Sequence, residues 1–181
     1  MNAHTYLCAH VFVSLCVRAC VCPTEFSGYV QRNPFTAGEL TRKEAGYLSE
    51  IAVLAALERG QNVLVDGSLR DAEWHQQYFL DLRRAQPNVR IAILHVTAPR
   101  SVVLSRAAAR AETTGRAVPR ETLEEALEMV PKSVEILKPM TDFFAELHNA
   151  EESDGLELKN MSWKAFEANW SQQCHECPSK P

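Results

Sequence analysis

From Pro23 to Gln173 the chain has no cysteine. All six lie towards the ends, at Cys8, Cys16, Cys20, Cys22, Cys174 and Cys177. A disulfide-stapled secreted domain spreads its cysteines through the fold, so this distribution argues against that class and for a reducing, cytoplasmic setting. Basic charge is also short: 19 Lys and Arg stand against 23 Asp and Glu, a net charge of −4. That leaves no electrostatic footprint for nucleic acid. No apolar run reaches the roughly 20 residues that a membrane span needs. The longest, around Val11 to Cys22, is interrupted by Arg18. Neither nucleic acid nor membrane is therefore expected as a partner. Internal repeats and low-complexity tracts are absent as well.

The N-terminal apolar run has several readings. Tyr6 to Leu15 followed by Val17-Arg-Ala19 has the outline of a signal peptide. The first six residues carry no Lys or Arg, which argues against it. A strand that joins the sheet and an unstructured start are the alternatives. At the other end, Cys174-His-Glu-Cys177 is half a zinc site, and Cys20-x-Cys22 is the candidate other half. The one-residue spacing and the need for the two ends to meet favour free thiols, so no metal site is expected.

What is present is enough apolar residue, 46%, for one real core with a tail. Strand-like and helix-like stretches alternate, which predicts an α/β fold with a parallel sheet. The centre of the reading is Gln61-Asn-Val-Leu-Val-Asp-Gly-Ser-Leu-Arg70. Asn62 to Val65 suits a strand buried on both faces. Asp66 would then lie at the carboxyl end of a strand, where open α/β sheets bind ligands. Gly67 permits a sharp turn. Asp66, Ser68 and Arg70 offer a carboxylate, a hydroxyl and a fixed positive charge, a set suited to Mg²⁺ and phosphate. The other reading of Asp66 is a helix cap.

Around that stretch, Pro23 to Gly38 reads as loop because Pro23, Gly28, Pro34 and Gly38 punctuate it. A helix is expected from Ala37 to Glu58, with Thr41 and Glu44 at capping-box spacing, an apolar stripe including Leu48 and Ile51, and Gly60 as its stop. Asp71 opens a helix to about Ala85. Arg90 to Val96 is a second buried strand, in which His95 is a packed residue. A helix beginning near Pro99 carries Arg106 and Arg110, four apart and hence on one face. It leads into the polar loop Glu112 to Pro119, which contains Arg116. Three arginines at one loop suggest a phosphate clamp, because a guanidinium grips phosphate oxygens bidentately. The other reading of each is a surface ion pair. Arg120 to Met129 reads as a helix with a capping-type start, interrupted at Val130-Pro-Lys-Ser133. A further helical stretch is expected to about Leu147, then an acidic loop, an edge strand near Leu156 to Asn160 and an aromatic helix from Ser162 to Gln173.

Six segments, in order, carry a resemblance: Thr41-x-x-Glu-Ala45, Asn62 to Arg70, Val96-x-Ala-Pro99, Arg106-x-x-x-Arg110, Thr114-Gly-Arg-x-Val-Pro119 and Val130-Pro-x-Ser133. Together they resemble the zeta-toxin group of P-loop kinases over roughly residues 30–147. The resemblance implies a three-layer, parallel-sheet P-loop NTPase-like kinase fold, and an ATP-dependent phosphotransferase using ATP and Mg²⁺ on a small molecule such as a nucleotide sugar. It implies substrate-side roles for Asp66, Ser68, Arg70 and Thr114, catalytic roles for Arg110 and Arg116, and a cofactor-phosphate role for Arg106. Ser68 replaces the group's usual threonine and keeps the hydroxyl. The group's Gly-x-x-x-x-Gly-Lys-Ser/Thr is not in this chain, which has no Gly-Lys pair, and neither is its acid-arginine pair after the second strand. The fold is accordingly expected to be incomplete at its first strand and phosphate loop. Residues 1–28 would be an atypical apolar segment, 29–150 the kinase-like domain and 151–181 an extension. Val11 to Val21 is the candidate substitute for the first strand. A non-catalytic binding module that keeps the substrate side is the alternative function.

Overall fold

The computed structural model describes residues 23–115, 117–150 and 156–175. They fall into two compact units, the first ending at Gly67 and the second beginning at Ser68. The expectations for residues 1–22, and for side chains of the terminal cysteines, lie outside what is described.

The first unit is helical, with α1 at Pro23–Arg32 and α2 at Ala37–Glu58. The punctuation of residues 23–38 predicts a loop, and α1 corrects that. Pro23 takes a first helical position, where its missing N–H leaves no bond unmade. Pro34 falls in the turn between the helices. α2 has its expected bounds. Gly60 adopts the left-handed φ of 70° that such a stop requires, and its N–H donates to the Leu57 carbonyl at 2.9 Å. The capping box does not form. Thr41 lies inside the helix, and its hydroxyl donates to the Ala37 carbonyl at 2.9 Å, which satisfies a buried polar group. The buried positions are the small Ala37, Thr41, Ala45 and Ala56 with Val53, whereas Leu48 and Ile51 are exposed.

Asn62 to Val65 is a second correction. Residues 61–71 form no strand, and Leu64 and Val65 are 38% and 48% exposed. Valine-rich composition supplies β propensity but not the ladder partner that a strand's backbone needs. The sheet among the described residues is built from other segments.

The second unit is α/β. Asp71 caps α3 (Ala72–Ala85) by accepting the Trp74 N–H at 3.0 Å. Then follow β1 (Ala92–Thr97), α4 (Arg100–Thr114), α5 (Arg120–Leu137), a 3-10 turn (Lys138–Met140), β2 (Phe143–His148), β3 (Glu157–Leu158) and α6 (Trp163–His175). The sheet order is β1-β2-β3. β1 and β2 are parallel, with Ala92 opposite Phe143 and Thr97 opposite His148, and α4 and α5 form the crossover between them. β3 is antiparallel to β2. The core gathers Phe79, Ile91, Ile93 and Leu137, with Leu69, Tyr78, Val89, Met140 and Phe144 against it.

Three further expectations change here. α5 runs unbroken through Val130-Pro-Lys-Ser133 and carries Pro131 inside it. Pro119 precedes it without a side-chain cap. Residues 143–148 form a strand instead of a helix: Phe143, Ala145 and Leu147 are buried in alternation, the period of a strand with one buried face. No helix among the described residues is long and apolar enough to cross a membrane.

Candidate functional site

The parallel strands β1 and β2 end side by side at Thr97 and His148. Their side chains meet there, Thr97 Oγ1 and His148 Nδ1 being 2.9 Å apart. The chain leaves β2 at Asn149, whose N–H donates to the Thr97 carbonyl at 2.8 Å. Arg106 reaches this edge from α4. Its Nη1 donates to the Asn149 carbonyl and its Nη2 to Asn149 Oδ1, both at 3.2 Å.

Arg110 lies one turn farther along the same face of α4. It is exposed, and its guanidinium has no hydrogen bond or ion pair among the described residues. Arg106 and Arg110 line a cleft of about 310 Å³ together with Val103, Ala107, Val118 and Leu123. The cleft therefore joins two fixed positive charges to apolar walls. Such walls lower the local dielectric and strengthen the pull of the arginines on an anion. α4 closes at Thr114, whose hydroxyl donates to the Arg110 carbonyl at 2.7 Å, and at Gly115, whose φ of 68° is left-handed.

The other expected residues are placed elsewhere. Arg70 turns to α5: its Nη1 is 3.9 Å from Glu125 Oε2, and its carbonyl accepts from the buried Ser133 hydroxyl at 3.0 Å. Neither Arg70 nor Ser68 lines the arginine cleft. Leu69, between them, has a φ of 49°, a left-handed conformation that costs a residue bearing a Cβ. Its side chain packs on the core, which offsets that cost. Asp66 is exposed and belongs to the first unit. Arg116 lies outside the described residues.

A second cleft, of about 500 Å³, is lined by Arg100, Glu124, Glu125, Leu127 and Glu128. Arg100 is bonded to Glu124, through Nε at 2.7 Å and through Nη2, and Arg120 approaches the same carboxylate at 3.4 Å. The Arg100 hydrogen bond holds the Glu124 carboxyl below its usual range, with Arg120 acting in the same direction. Its excess of carboxylates makes this cleft unsuited to phosphate.

Sequence reasoning missed Asn149, Thr97 and His148. Reading residues 141–147 as helix concealed the strand exit that brings them together. The signal available was the alternation Phe143, Ala145, Leu147. Among the described residues, no group of three or more His, Cys, Asp or Glu could hold a metal ion.

An α/β unit whose parallel strands end beside an arginine-bearing helix is the class defined by this geometry. The sequence model of the Zeta toxin family matches residues 22–152, and the chain belongs to that family. No curated protein and no solved structure matches it.

Proposed function

We propose that this chain carries an ATP-dependent phosphotransferase domain of the zeta-toxin type, acting on a small molecule in the cytoplasm, with a nucleotide sugar as the substrate class. The observation that carries this is the pairing of Arg106 and Arg110 in one apolar-walled cleft beside the exits of two parallel strands. Phosphoryl transfer depends mainly on positioning and on charge stabilisation of the phosphoryl oxygens. In this reading Arg110, and Arg116 six positions farther along the sequence, balance charge on the transferred group, and Arg106 supplies charge towards the nucleotide phosphates. Asp66, Ser68, Arg70 and Thr114 belong to the substrate side. The whole fold is then the three-layer P-loop kinase sheet, of which β1 and β2 are two strands.

The described residues suit the phosphates of ATP, through the two guanidiniums. Among the described residues no cluster of three or more His, Cys, Asp or Glu is present, and Mg²⁺ would be held chiefly by the phosphates and water. The absence of a Gly-Lys pair from the sequence favours a second reading, a non-catalytic module that binds a phosphorylated ligand. Calorimetry with a non-hydrolysable ATP analogue separates the two. Micromolar binding that requires Mg²⁺ supports the kinase. Absent or millimolar binding, together with retained binding of inorganic tripolyphosphate, supports the module. Loss of neither ligand on Arg110→Ala removes the cleft from both.

A further inference from the structure

The two arginines of the cleft are not equivalent. Arg106 is half-buried and spends one donor from each terminal nitrogen on Asn149, one on its carbonyl and one on its side-chain oxygen. Asn149 is itself fixed, because its N–H is bonded to the Thr97 carbonyl at the end of β1. Thr97 in turn meets His148 side chain to side chain. Arg106 is thus tied through one residue to the ends of both parallel strands. Arg110, one turn away on the same helix, is exposed and untied among the described residues.

We propose that Asn149 is a positioning residue: it anchors Arg106 so that α4 presents Arg110 to a phosphate in the cleft, Arg110 making the contact and Arg106 supplying fixed charge behind it. This rests on the reading of the cleft as a phosphate site. A planar guanidinium held at two points loses little rotational freedom on binding, since that freedom was lost on folding. An untied guanidinium keeps its donors for the ligand, and two parallel N–H bonds to a phosphate are its strongest use. Asn149 itself need not touch the ligand.

The test uses the full chain, with inorganic tripolyphosphate as the probe in calorimetry. Arg110→Ala is expected to weaken binding by about tenfold. Asn149→Ala should weaken it by about threefold to fivefold, and the double variant Arg106→Ala/Asn149→Ala should bind no more weakly than Arg106→Ala alone, because the two act as one unit. Additive losses, or an Asn149→Ala protein that binds like the parent while Arg110→Ala does not, overturn the positioning role and leave the cleft reading standing. A parent chain that does not bind tripolyphosphate overturns both. Should Asn149→Ala fail to fold, nitrogen NMR of the unmodified chain decides. Rotation about the Nε–Cζ bond is expected to be slow for Arg106 and fast for Arg110, and fast rotation in both overturns the anchor.

Discussion

Ser133 donates its hydroxyl hydrogen to the main-chain carbonyl of Arg70 across 3.0 Å, joining α5 to the residue just before the cap of α3. Two segments 63 positions apart in sequence meet in this bond, beside the Arg70–Glu125 ion pair. Ser133 is only 2% exposed, so its hydroxyl depends on this bond, whereas Arg70 is half-buried. Removing the hydroxyl takes that partner from the carbonyl, and Ser133→Ala should lower unfolding stability by about 1 kcal/mol. A urea denaturation series measures this, and an unchanged midpoint would count against the contact.

Asp142 ties the start of the sheet together. Its Oδ2 accepts the Ile91 N–H and the Arg83 Nη2, each at 2.8 Å, and Arg83 also donates to the Met140 carbonyl at 3.0 Å. The carboxylate is partly exposed, so the ion pair itself counts for little, and the backbone bond at Ile91 dominates. Asp142→Ala should cost about 1–2 kcal/mol, and Asp142→Asn, which keeps an acceptor oxygen, clearly less. Equal losses in the two variants would place the effect in charge instead of in the Ile91 bond.

Pro131 sits inside α5 and is exposed. It offers no N–H to the carbonyl four residues back, and its ring crowds that turn. Nothing described shows a compensating contact. Pro131→Ala is therefore expected to raise stability, by about 1–3 kcal/mol, visible as a higher melting temperature. A lowered melting temperature would show that the proline is needed for the packing of α5.

His75 and His95 titrate below the ordinary imidazole range. Burial is the chief cause in both; the Asp71 carbonyl and then its carboxylate oppose it at His75, and Glu146 and then Glu135 oppose it at His95. The unfolded chain therefore takes up these protons at a higher pH than the folded chain. Stability from the two neutral rings is complete above about pH 6.5 and is lost as pH falls from there towards their folded values. Thermal melts between roughly pH 7.5 and pH 5 should show that decline, and the double variant His75→Gln/His95→Gln should flatten it. A variant as pH-dependent as the parent would assign the decline to other groups.

Periodicity and punctuation made some of this legible. α2 has the bounds expected for it and stops at Gly60, although Leu48 and Ile51 of the expected stripe are exposed, and the acid at Asp71 announces α3. The pairing of Arg106 with Arg110 on one helix face follows from a four-residue interval. Other features depend on partners that spacing cannot specify. Asn62 to Val65 has the composition of a strand but lies outside the sheet of the described residues. Pro131 breaks a rule of isolated helices, yet α5 passes through it, since tertiary packing of Ser133, Val134 and Leu137 overrides local propensity. Asn149 is not legible in the sequence, because its importance comes from Arg106, 43 residues earlier, and from the exit of a strand where the spacing predicts a helix.

The sheet order has a practical corollary. Among the described residues β1 has a ladder neighbour on one side only, and Val96 is 55% exposed. Among the described residues the other side of β1 is where a further extended segment would pair, beside an apolar side chain. A segment seated there would cover Val96, so a charged residue in its place should weaken any such pairing, whether the added strand comes from this chain or from a second copy.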